Sequence, residues 1–78
     1  MKSILISNID KIHTTELGLQ RIKRNINIDK DVINYIKNKI KDNKSIVYKK
    51  GKNYYCEIDG IIITINSQNY CIITAHIN

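Results

Sequence analysis

The chain changes its hydrophobic period once. Up to about Asn43 the apolar residues recur every three or four positions, and from Ser45 onward they alternate. The first spacing lines one stripe of a helix and the second lines one face of a strand. Leu5, Ile9 and Ile12 recur at i, i+4 and i+7, which predicts a short helix over residues 2–12, weakened by Ser7, Asn8 and Asp10. A second helix is expected to open at Thr14 as N-cap, with Glu16 in the first turn, where the helix dipole favours an acid. Its buried stripe is Leu19, Ile22 and Ile26, with Arg21, Lys23 and Arg24 largely off it. Gly18 inside that helix costs up to ~1 kcal/mol relative to Ala, so close packing or function has to compensate. After a polar break at residues 27–31, a third helix is expected from about residue 30 to residue 42, with Val32, Ile33, Ile36 and Ile40 inward.

Four strands follow, over residues 45–49, 53–58, 61–65 and 70–76, separated by Lys50-Gly51-Lys52, Asp59-Gly60 and Asn66-Ser67-Gln68-Asn69. Asp59-Gly60 reads as a two-residue hairpin loop. It sets Ile58 opposite Ile61, Cys56 opposite Ile63 and Tyr54 opposite Ile65, an apolar face that belongs under the helices. The other face carries Tyr55, Glu57, Ile62 and Thr64 and suits solvent or a ligand. If Ile65 then faces Tyr70, the helix-side row continues through Ile72, Thr74 and His76. Cys71 falls on the face opposite Cys56, so this register forbids a disulfide; a bulge in the last strand would overturn the assignment. The expected fold is α+β, two or three N-terminal helices packed on one face of a four-stranded antiparallel meander, in a single domain over residues 1–78. Without Pro, Trp or Phe, the core falls to isoleucine and tyrosine.

Composition adds a partner class. The formal net charge is +6 and the sequence pI about 9.5, which favours a polyanion. Part of that charge follows from an Ile, Asn and Lys bias of the kind AT-rich coding produces. Lys outnumbers Arg eleven to two, so most cations are point charges rather than phosphate forks. The apolar runs are too short for a membrane span, and the first seven residues are too short for a secretory signal. A cytoplasmic protein with reduced cysteines is therefore expected, with no membrane partner. No C-x-x-C or H-x-x-x-H spacing is present, so neither a metal site nor a cofactor is expected.

The candidate chemistry rests on two histidines beside threonines, His13 and His76. Imidazole exchanges protons near neutrality, and a phosphodiester cleaved through its own 2′-hydroxyl needs one base and one acid. His13, Thr74 and His76 are the expected catalytic residues. Thr15, Arg21, Arg24, Lys50, Lys52 and Tyr55 are the expected nucleic-acid contacts. Plainer roles stand beside these. His13 serves equally well to cap a helix, His76 as part of a frayed end, Thr74 as an ordinary strand residue, and the lysine turn as a solvated hairpin tip.

The stretch from Lys11 to Gly18, with Arg21-Ile22-Lys23-Arg24-Asn25 behind it, resembles a small bacterial family known only as a domain of unknown function. So do Lys50-Gly51-Lys52-Asn53-Tyr54-Tyr55 and the stretch from Tyr70 to His76. That resemblance covers most of the chain from Ile9 onward and brings no established activity. The order of helices and sheet, ending in Ile-Ile-Thr-Ala, is more loosely similar to the barnase–EndoU–colicin–RelE ribonucleases, which include metal-independent toxin nucleases. The likeness would assign roles to His13, Arg21, Lys50 or Lys52, Thr74 and His76, although those enzymes often carry an aromatic where this chain has His76. The resulting expectation is an RNA-binding protein and metal-independent ribonuclease of toxin or phage-defence type. Two alternatives remain: a non-catalytic nucleic-acid-binding module, or a regulatory domain with a protein partner or a second copy of itself.

Overall fold

The helices form where the apolar spacing places them and stop where polar side chains take over the backbone. In the computed structural model, which describes residues 2–29 and 31–78, α1 (Lys2–Ser7) ends as Ser7 Oγ donates to the Ser3 carbonyl and Asn8 Nδ2 to that of Ile4. Such local bonds compete with helix propagation, and only a single 3₁₀ turn at Ile9–Lys11 follows. The helix α2 (Glu16–Ile26) is capped by Thr15, one residue beyond the expected Thr14, whose Oγ1 accepts the Gly18 N–H at 3.0 Å. It ends at Asn27, in the left-handed region with φ 57°. The helix α3 (Val32–Lys41) opens on Asp31, whose carboxylate accepts the Asn34 N–H; the expected start at residue 30 lies outside the described residues.

The strands β1 (Ile46–Lys50), β2 (Asn53–Ile58), β3 (Ile61–Asn66) and β4 (Ile72–Ile77) form one antiparallel sheet in chain order, so the α+β arrangement is as expected. Two turns fix its register. Asp59 and Gly60 both have positive φ, 51° and 77°, and make the two-residue loop that pairs Ile58 with Ile61, Cys56 with Ile63 and Tyr54 with Ile65. Gly51 has φ 61°, so Gly51-Lys52 is a second two-residue loop and Lys50 faces Asn53. The inner face of β2 and β3 meets Leu5, Ile22, Ile26, Val32, Ile36 and Ile40 from the helices in one core.

The last strand departs from the expected register. Thr64 pairs with Thr74 but Ile65 pairs with Ile72, leaving Ile73 as an extra residue in a bulge. One inserted residue reverses the faces beyond it. Ile72 and Ala75 are therefore buried in the core, while Thr74 and His76 turn to the outer face beside Thr64 and Ile62. Burial explains the choice. The unbulged register would bury a hydroxyl and an imidazole under the helices, at the cost of desolvating both. The bulge puts Ala75 there instead, and α2 lies close along β4. Tyr70, expected to face Ile65, instead ends the loop with φ 60° and stacks on Tyr54.

A short segment ties α2 to that strand. Ile12 is buried in the core, and His13 bridges Cys71 in parallel fashion, with its N–H donating to Tyr70 and its carbonyl accepting from Ile72 at 2.7 Å. Thr14 Oγ1 then donates to the Ile72 carbonyl at 3.0 Å. This hydroxyl lies where a Cβ on Gly18 would project, which accounts for a glycine inside a helix. Ala is the better helix former by about 1 kcal/mol, yet Gly18→Ala should lower stability by roughly 1–3 kcal/mol in denaturant unfolding, because Thr14 must surrender its bond. Thr14→Ala combined with Gly18→Ala should cost less than the two separate losses added. A Gly18→Ala protein as stable as the wild type would show that this packing does not constrain the helix.

Candidate functional site

The helices pack on the inner face of the sheet, and the outer face is partly exposed, except at Thr64, which is buried. Register sorts the outer side chains into three cross-strand rows. The first is Ile46, Glu57, Ile62 and His76; the second is Tyr48, Tyr55, Thr64 and Thr74; the third is Lys50, Asn53 and Asn66. Tyr48 and Tyr55 stack at the centre of one half, with ring centroids 5.5 Å apart and planes 19° from parallel. Tyr48 is 38 % exposed and Ile46 63 %. The Tyr48 hydroxyl donates to Glu57 Oε2 at 2.9 Å. That bond holds the phenol protonated above its ordinary range.

Beyond Glu57 the face runs into a hollow lined by Lys44, Glu57, Asp59, Gly60 and Asn78. On its border Asp59 pairs with Lys39, which lowers the Asp59 pKa and raises that of Lys39. At the far end, Lys50 closes the third row and Lys52 sits in the adjoining turn. Cations thus stand at both ends of a face whose centre is aromatic, hydroxylic and amide.

The structure gathers only some of the sequence candidates. Tyr55, Lys50, Thr74 and His76 share the outer face, with Lys52 at its rim. Thr74 lies at the edge next to α2, with Asn25 Nδ2 3.5 Å from its hydroxyl. Thr15 serves as the cap of α2, and Arg21 and Arg24 are exposed on that helix, outside the three rows. His13 is also exposed, with Nδ1–H donating to the Lys11 carbonyl at 2.9 Å and Nε2 left free. The two histidines sit on different elements. His13 is joined to Cys71, and because Ile72 and His76 span only Ile65 to Ile62 across the bulge, Cys71 and His76 are roughly 13 Å apart along the sheet at about 3.3 Å per residue, with His76 on the outer face.

Sequence reasoning overlooked Tyr48. Had Gly51-Lys52 been read as the loop, Tyr48 would have fallen opposite Tyr55. Cys56 lies in the core, where burial pushes its thiol up to about 11, and Cys71 is half-buried beside His13. Among the described residues, no three His, Cys, Asp or Glu side chains gather to hold a metal, and no helix is long and apolar enough to cross a membrane.

A family model described as a protein of unknown function (DUF3781) matches residues 6–76. The chain belongs to this family. No curated protein and no solved structure matches it. The likeness to the barnase–EndoU–colicin–RelE ribonucleases is therefore unsupported. The stretch from Ile12 to Gly18, one of those in which the resemblance was read, is occupied in holding α2 against β4.

The ion pair at the hollow's border has a readable consequence. The folded-state pKa of Asp59 lies below the unfolded value, so its contribution to stability is present above the ordinary aspartate range of about 3.9 and is lost as pH falls through the folded-state pKa. An NMR titration should find the Asp59 carboxyl below that range, and Lys39→Met should return it upward. An identical titration in both proteins would deny the pair.

Proposed function

We propose that this protein binds single-stranded RNA on the outer face of its sheet and does not cleave it. The observation that carries the reading is the stacked pair Tyr48–Tyr55 on the outer face of the two strands β1 and β2, with Tyr48 exposed and Tyr55 half-buried beneath it. Aromatic rings on such a face stack unpaired bases, and each stacked base contributes about 1–3 kcal/mol. The hydroxyl of Thr74 and the amide of Asn53 lie on the same face, within the class of groups that pair with base edges and the 2′-hydroxyl. Lys44, Lys50 and Lys52 at the two ends suit the phosphates, and the net charge of +6 draws a polyanion in. A duplex hides its bases from a flat aromatic surface, so an unpaired strand fits better. With His13 and His76 on different elements, this reading assigns them no shared phosphate as the acid and base that cleavage needs.

Fluorescence anisotropy with a mixed-sequence single-stranded RNA tests this. Affinity should fall steeply as salt rises, and Tyr48→Ala or Tyr55→Ala should weaken binding by roughly 5- to 100-fold. Lys37→Ala, on α3 and outside the three rows, should change it much less, and the RNA should remain uncut. Absence of binding at low salt, or affinity unaltered when both tyrosines are removed, would refute the reading and favour a protein partner.

A further inference from the structure

We infer that Glu57 makes this face selective for guanine, an inference that rests on the RNA-binding reading. Glu57 is the one acidic side chain in the three outer rows. A carboxylate amid a phosphate-binding surface repels its ligand unless it meets hydrogen-bond donors. Its position settles which donors reach it. Glu57 occupies the row next to the stacked tyrosines, and the Tyr48 hydroxyl fixes Oε2 at 2.9 Å. Among the described residues, that is the only hydrogen bond to its side chain, so Oε1 and a second lone pair on Oε2 are free to accept.

A base stacked against Tyr48 and Tyr55 turns its edge toward this carboxylate. The Watson–Crick edge of guanine presents two adjacent donors, N1–H and N2–H, spaced to meet both oxygens. Adenine and cytosine offer one amino donor next to a ring nitrogen whose lone pair opposes the carboxylate. Uracil offers one N–H between two carbonyls. Only guanine makes two charge-assisted bonds without a repulsive contact. The hollow beyond Glu57 leaves space for the neighbouring nucleotide, with Lys44 in its wall to meet a phosphate.

The test is anisotropy with oligouridylate octamers carrying one central guanine, adenine, cytosine or inosine. The guanine octamer should bind roughly tenfold tighter than the adenine and cytosine octamers, in line with discrimination by a bidentate contact. Inosine lacks the N2 amino group and should lose most of that advantage. In Glu57→Gln the preference should vanish while affinity for all-uridine RNA stays the same or rises. Tyr48→Phe, which keeps the stack and removes the tether, should reduce the preference without abolishing binding. A preference below about threefold, or one that survives Glu57→Gln, would overturn the inference while leaving RNA binding intact. Failure of every octamer to bind would overturn both.

Discussion

Burial of one sheet face is the constraint on which the other features depend. Leu5, Ile22, Ile36 and Ile40 from the helices meet Ile63, Ile65 and Ile72 from the sheet, all essentially inaccessible to solvent. Each such side chain contributes about 1.5–3 kcal/mol on burial, against a total stability of about 5–15 kcal/mol for an ordinary domain. Isoleucine does nearly all of this work, and it is branched at Cβ, which suits strands. All three helices lie on the side where these residues point. What the opposite face carries is then free to be set by something other than packing.

That constraint reaches the end of β4 through a single inserted residue. The core accepts Ala75 beneath α2 and excludes Thr74 and His76, and the bulge at Ile73 is how the strand satisfies both. The segment from Ile12 to Thr14 works with it. By pairing with Cys71 and Ile72, it covers the start of an edge strand and delivers α2 to the same place. A threonine hydroxyl, a helix cap and a glycine thus form one joint between the helical and sheet halves. The stretch from Ile12 to Gly18 is explained by that joint, and its histidine contributes chiefly through its backbone.

The change of period at residue 43 and the Asp59-Gly60 turn were legible because each is a local signal. They yielded the order of elements, the inner face and the pairing of β2 with β3. The bulge was not legible. Ile72-Ile73-Thr74-Ala75-His76 permits either face assignment, and only the competition for burial under α2 decides between them. The bond from Thr14 to Ile72 joins residues 58 apart in sequence, beyond the reach of any periodicity. Tyr48 was missed for a smaller reason, since the register of β1 depends on whether the first turn holds two residues or three. The expected meeting of the two histidines rested on the unbulged register of β4, because it needed His76 on the helix side.

The outer face of the sheet is the proposed working surface, and backbone amide NMR during titration with single-stranded RNA tests it. Shifts should concentrate at Tyr48, Tyr55, Glu57 and Thr74 and in the Gly51-Lys52 turn, leaving the amides of Asn34, Lys37 and Lys41 on α3 in place. Shifts confined to the exposed side of α2 or α3, or none at all, would contradict it.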